Sequence, residues 1–88
     1  VKKQATDCAI ECAKLLEDLG YFVAIYGSEI SVFRDRLNVH ELTSFDLWVA
    51  KYSNNKPSLN CGMWQYSSNG KVSGVNGNVD LDYAFRSY

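Results

Sequence analysis

Histidine and proline occur once each in this chain, and neither sign of charge dominates: nine Lys and Arg stand against ten Asp and Glu, a net charge of -1. Without a basic surplus there is no electrostatic footprint for a phosphate backbone, so nucleic-acid binding is not expected. No apolar run approaches the roughly 18 to 20 residues that cross a bilayer, so no membrane partner is expected either. The opening residues, VKKQATDC, lack the apolar stretch of a signal peptide. Synthesis in the cytoplasm is therefore expected, with any export signal lying elsewhere. Cysteine is sparse and odd in number: Cys8, Cys12 and Cys61. A disulfide scaffold uses an even, denser set. A zinc centre needs more close-spaced ligands than the single His40 can complete. Reduced thiols are expected, with no metal and no cofactor, and Cys8 and Cys12 are read as small core-facing residues.

What is present is ordinary globular material. The apolar content of 47% argues against disorder. With 88 residues, no internal repeat and no linker, the chain reads as one small domain or a piece of a larger one.

Ala5, Cys8, Ala9, Cys12, Leu15, Leu16 and Leu19 recur at three- and four-residue spacing, which is one apolar face of a helix. Thr6 or an earlier residue opens that helix, and Gly20 stands where a left-handed cap would close it. YFVAIYGS, Tyr21 to Ser28, is a continuous apolar run, the pattern of a strand buried on both faces of a parallel sheet. EISVFRDRLN, Glu29 to Asn38, reads as a short helix, and DLWVAKYS, Asp46 to Ser53, as a second buried strand. A loop holding the only proline, Pro57, leads to GMWQYSS, a third strand. Asn69-Gly70 is a strong turn signal. KVSGVNGNVDLDYAF follows as a looser hairpin with a fourth short strand.

Helices alternating with buried strands give an α/β layer architecture. The chain opens on a helix without a strand before it, yet a parallel sheet needs both faces covered. A (β/α) barrel takes about 200 to 250 residues, so this pattern reads as the second half of one. Trp48, Tyr52, Trp64 and Tyr66 lie on the two apolar runs that lead into Val79-Asp80-Leu81-Asp82. Aromatic rings leading to a carboxylate suggest a sugar site. Tyr26 ends its strand at the position where barrels place site residues, and Gln65 alternates with Trp64. Each aromatic also has a packing reading, because a Trp on a buried strand often belongs to the core. Glu29, at a helix start, fits an N-terminal dipole partner better than a catalyst.

The ordered set L-W-x-A-x-Y (Leu47 to Tyr52), W-Q-Y-S-S (Trp64 to Ser68) and G-x-V-D-x-[ND]-x-x-F (Gly77 to Phe85) resembles the C-terminal part of the family 25 glycoside hydrolases, the lysozymes of the endolysin and muramidase type. The upstream AKLLEDLGYFVAIYGSE fits the helix and strand that precede it in that family, so the resemblance runs from about Cys12 to Phe85. It implies an irregular, TIM-like (β/α) barrel ending in β-strands without helices, of which residues 1–88 would be the C-terminal half of the catalytic domain. It also implies hydrolysis of the β-1,4 bond between N-acetylmuramic acid and N-acetylglucosamine in bacterial cell walls. On that resemblance Asp80 is the catalytic-site carboxylate, and Trp64, Tyr26, Tyr52, Tyr66, Trp48 and Gln65 are the candidate substrate contacts.

The sequence departs from the family at one decisive place. The general acid is the Glu of an Asp-x-Glu motif, and no Asp-x-Glu occurs in these 88 residues. Glycoside hydrolysis needs a carboxylic acid to protonate the leaving oxygen and a second group at the oxocarbenium-like centre. Asp80 can stabilise or position. Asp82, two residues on, shares its strand face but is not the family's acid. Two readings follow. The chain is part of a muramidase whose N-terminal half comes from elsewhere, or it is an inactive truncated fragment that binds glycan. In either case peptidoglycan glycan strands are the expected partner, and the missing half of the barrel or self-association is expected to cover the exposed edge.

Overall fold

The computed structural model describes residues 1–88. Helix α1, Lys2–Asp18, leads into strand β1, Ala24–Ser28. A π-helical segment, Glu29–Arg34, and a 3-10 turn, Val39–Glu41, precede β2, Asp46–Ala50. Strands β3, Met63–Gly70, and β4, Val79–Ala84, follow without further helix. The sheet order is β1-β2-β3-β4, with the first three strands parallel and β4 antiparallel to β3. This is a mixed α/β fold whose sheet is open, with β1 and β4 as its edges. No helix is long and apolar enough to cross a membrane.

Helix α1 closes as the sequence predicts. Gly20 takes φ +94°, its N–H bonds to Glu17 O and that of Tyr21 to Leu16 O. That pair of bonds is a Schellman cap, which needs a left-handed residue at the position Gly20 fills. The buried face of the helix differs from the predicted one. Thr6 and Ala13 are buried and Ala5 and Ile10 pack beside them, whereas Cys8, Cys12, Leu15, Leu16 and Leu19 are exposed. The expectation that Cys8 and Cys12 face the core is corrected. The helix rests on small residues that allow close approach, and nothing covers its leucine-rich flank. Thr6 pins it further, because its hydroxyl donates to Lys2 O and accepts from Asn38 N, each at 2.8 Å.

The core lies on one face of the sheet only. Phe33, Leu37, Leu42 and Phe45, from the segments between β1 and β2, pack with Ala13 and Cys61 against Leu47 and Val49. Gly27 makes this contact possible. A Cβ there would stand 2.7 Å from Val32 Cγ1, so only glycine lets the π-helical segment lie this close on β1. Ser28 caps that segment, its Oγ accepting from Ser31 N at 3.0 Å.

The strand expected across Tyr21 to Ser28, buried on both faces, is shorter and half open. It spans Ala24–Ser28, and Tyr21, Phe22 and Tyr26 are exposed. A continuous apolar run requires two covers, and only one is present. The Asn69-Gly70 turn signal is not used as a turn either. Gly70 is still in β3, paired with Val79, and the chain reverses over residues 71–78, where Gly74 and Gly77 take φ +89°.

Candidate functional site

The strand register sorts the sheet into rows, because cross-strand partners point to the same face. Tyr26, Trp48, Met63 and Ala84 form one row, and Ser28, Ala50, Gln65 and Asp82 form the next on the same face. Gly27, Val49, Trp64 and Tyr83 lie on the opposite face, with Val49 in the core. The open face therefore gathers four of the expected site groups, Tyr26, Trp48, Gln65 and Asp80, together with Asp82, two residues on from Asp80 along β4.

Two side-chain bridges cross this face, each stepping over a strand. The Tyr26 hydroxyl on β1 donates to Gln65 Oε1 on β3, passing over Ala50, whose methyl leaves room. Gln65 is only 2% exposed, and with its oxygen engaged the NH2 group supplies its remaining donors. Trp48 Nε1 on β2 donates to Asp82 Oδ1 on β4 at 2.7 Å. The Tyr26 and Trp48 rings meet edge to face, centroids 4.8 Å apart at 69°. Burial pushes the Tyr26 phenol up, and the neighbouring Tyr52 and the carboxylates of Asp80 and Asp82 push it the same way. Tyr26 is thereby kept a neutral donor.

Tyr52 follows β2 at the rim. A cleft of about 570 Å³ runs from Tyr26 past Ser28 and Ala50 to Tyr52, and a second of about 520 Å³ runs from Tyr52 to Tyr66 and Asn69. Both lie at the C-terminal ends of the parallel strands, where α/β folds build their sites.

Trp64 and Tyr66 are not brought to the open face. Trp64 is 6% exposed, its Nε1 donates to Lys51 O at 2.9 Å, and its ring stacks on Tyr83 with centroids 5.6 Å apart. Tyr66 reaches the rim cleft beside Tyr52 but packs its ring on Trp64 and Tyr83.

Glu29 forms a clamp that no local pattern revealed, its partners lying 22 and 29 residues away in sequence. Its carboxylate accepts from Ser58 N, accepts from Ser58 Oγ at 2.8 Å, and pairs with Lys51 Nζ at 3.3 Å. Burial acts to raise its pKa, but the bonds from Ser58 and Lys51 outweigh this and hold the carboxyl below its ordinary value. Glu29 therefore stays ionised and fastens the loop after Tyr52 to the end of β1. At the other end of β2, Asp46 takes the Tyr88 hydroxyl and Arg86, whose NH2 lies 3.5 Å away. Neither group faces the two clefts as a free acid. His40 lies exposed on the 3-10 turn, and no group of three or more His, Cys, Asp or Glu side chains could hold a metal ion.

Comparison with known proteins gives a consistent set of matches. The sequence profile of the glycosyl hydrolases family 25 matches residues 1–75. An autolytic lysozyme of Clostridium acetobutylicum is 33% identical over 72 residues, covering 80% of this chain and 22% of the lysozyme. The crystal structure of the CTP1L endolysin, whose activity is regulated by a secondary translation product, superposes with a TM-score of 0.77 at 25% identity. That match covers 90% of this chain and 29% of the endolysin chain. The chain thus spans between a fifth and a third of the length of both relatives. Asp80 and β4 lie beyond the profile match.

Proposed function

This chain belongs to the glycosyl hydrolases family 25, and from that membership we propose that it forms the C-terminal part of a lysozyme-type muramidase acting on the β-1,4 bonds of peptidoglycan. The observation that carries the reading is the open sheet face. There a phenol, an indole and an amide are braced in fixed positions beside the Asp80 and Asp82 carboxylates. Such a face offers a pyranose flat rings for its C–H surface and fixed polar groups for its hydroxyls.

In this reading Asp80 stabilises positive charge at the oxocarbenium-like centre and orients the reacting sugar. Asp82 is engaged by Trp48 and holds the indole in place. Tyr26 and Tyr52 contact sugar hydroxyl and acetamido groups, and buried Gln65 acts from beneath by fixing the Tyr26 hydroxyl. The chain offers no proton donor for the leaving oxygen: Glu29 is held ionised, and no Asp-x-Glu occurs in the sequence. The acid then comes from residues outside these 88.

The same reading makes the open sheet one half of a barrel. A 9.9 kDa monomer exposes about 5,200 Å² on the general size scaling, and this chain exposes 6199 Å². The excess fits the uncovered flank of α1, the bare β1 edge and the exposed Phe22 and Tyr26. The cover is the N-terminal half of the domain or a second copy of the chain. The site of action is the bacterial cell wall.

The test is clearance of a peptidoglycan suspension. The chain alone is expected not to clear it, since general acid catalysis contributes typically about 10²–10⁴-fold. Joined to a family segment bearing Asp-x-Glu, it is expected to clear the suspension, and Asp80→Asn in the joined protein to lower kcat with circular dichroism unchanged. Rapid clearance by the chain alone refutes the division of labour. Tight binding of peptidoglycan by the joined protein without clearance instead supports a glycan-binding fragment.

A further inference from the structure

The outer face of β3 and β4 carries a feature with no part in the site described above. No helix connects these two strands, so nothing covers the sheet there, in contrast to β1 and β2. A cleft of about 400 Å³ lies on this face, and each apolar side chain in its wall is an aromatic ring: Trp64, Tyr66, Tyr83 and Phe85. Its polar wall is Ser53, Asn54 and Lys56. The rings are ordered. Buried Trp64 is the floor, and Tyr83 lies at 30° both to it and to Tyr66, with centroids 5.6 Å and 4.9 Å away. Tyr83 is 54% and Phe85 45% exposed, and Lys56 Nζ stands 5.6 Å from the Phe85 ring centre.

We propose that this outer cleft is a second glycan-binding site. It takes a pyranose ring of a β-1,4-linked N-acetylated oligosaccharide on Tyr83 and Phe85, and it holds hydroxyl and acetamido groups on Asn54, Ser53 and Lys56. Two observations favour a sugar over an apolar protein segment. The wall holds no Leu, Ile, Val or Met side chain for a hydrophobic partner to interdigitate with, and the hydrogen-bonding side chains of one loop, Ser53, Asn54 and Lys56, line the cleft beside the rings. The cleft is also continuous with the open face. The first and second rim clefts share Tyr52, and the second and outer clefts share Ser53, Asn54 and Tyr66. A strand leaving the open face over Tyr52 thus passes onto the Tyr83 surface without crossing a wall. The outer site performs no chemistry and keeps the polymer attached while the inner face works on it. The choice of sugar rests on the peptidoglycan reading of the inner face, whereas the existence of the site rests on the outer cleft itself.

The chain has two tryptophans, one on each face, so two indole N–H signals report the two sites separately. Titration of the 88-residue chain with chitotetraose, followed by two-dimensional NMR, is expected to move the Trp64 signal. Trp48→Phe assigns the signals and should leave that response intact. Tyr83→Leu keeps an apolar side chain but removes the flat ring, and should weaken the Trp64-reported affinity about tenfold, the scale of one lost aromatic contact. Asn54→Ala, at an exposed loop position with no packing role, should weaken it also. A response confined to Trp48 overturns the outer site and leaves the inner reading standing. A Trp64 response that survives both Tyr83→Leu and Asn54→Ala overturns it too, as does no response at all. If Tyr83→Leu dissociates an assembled form in sedimentation without affecting sugar binding, the face is an interface between copies and the proposal falls. The inner reading fails separately, in the clearance assay.

Discussion

Glu29→Gln is the substitution with the most informative outcome, because it keeps the shape of the clamp and removes only its charge. The Glu29 side chain is 13% exposed and that of Lys51 30%, so solvent screening reduces the ion pair but does not abolish it. Hydrogen bonds to an ionised acceptor are worth about 1.5–3 kcal/mol and neutral ones about 1 kcal/mol. Glutamine keeps Oε1, which accepts both Ser58 donors, now as a neutral acceptor, and turns an NH2 toward Lys51. With the cost of burying the carboxylate set against these gains, a net loss of about 1–2 kcal/mol is expected at pH 7. At about 4–8 °C per kcal/mol for a domain this size, thermal unfolding by circular dichroism should fall by roughly 5–15 °C. The pH dependence separates charge from shape. Glu29 has a lowered pKa in the folded chain, so its contribution is present above the unfolded carboxyl value of about 4.3 and is lost as pH falls through the lower folded value. The gap between native and Glu29→Gln should therefore close in acid. A Lys51→Met background should shrink the gap at pH 7 by the ion-pair share, about 1 kcal/mol or less. Equal stability of native and Glu29→Gln at pH 7, or a gap that persists undiminished at pH 2, would show that the clamp is not electrostatic.

Trp48→Phe preserves the edge-to-face contact with Tyr26 but loses the bond to Asp82. It should cost about 1 kcal/mol by denaturant titration, with no cost meaning that the bridge has no energetic part in bracing the face. Tyr88 is pushed up to about 12 by burial and the Asp46 carboxylate that accepts its bond. Its contribution is whole below the unfolded phenol value of about 10 and is lost between there and about 12; Asp46→Asn should flatten alkaline unfolding in that window, and an unchanged profile contradicts the contact. Val49 is fully buried, so Val49→Ala should destabilise by about 2 kcal/mol through lost burial and a residual cavity, and a loss below 0.5 kcal/mol on the same order-of-magnitude scale would place it outside the core. Sedimentation at micromolar concentration should find the chain associated, and a compact monomer that unfolds cooperatively would mean the open sheet needs no cover.

The periodicities that the sequence displays plainly are those with a purely local cause. Helix α1 was legible from its three- and four-residue spacing and from Gly20. The strands containing Trp48 and Trp64 were legible from their apolar runs, and the final strand from its turn residues. Burial was less legible. Apolarity at Leu15, Leu16, Leu19, Tyr21 and Phe22 specifies residues that want cover, and the chain itself supplies none. Gly70 could not be placed from its sequence because two irregularities in β3, between Gln65 and Ser67 and between Ser67 and Gly70, carry the strand past the expected turn. The first of these, beside Tyr66, has a further effect. A one-residue slip decides which face a side chain serves. Alternation along a strand does separate Trp64 from Gln65, but it does not say which face is open. The Tyr26–Gln65 and Trp48–Asp82 bridges join residues 39 and 34 apart. Only register brings them together.

Those two bridges also have a reach. Neighbouring strands lie about 4.8 Å apart, so groups on alternate strands start nearly 10 Å from one another. Side chains standing parallel on the sheet would keep that separation to their tips. Here the long Tyr26 and Trp48 side chains close it by lying across an intervening strand. A side chain laid over the sheet roofs the backbone beneath it. Each bridge is thus a tie between alternate strands and a partial cover for the strand between them, on the face that carries no core.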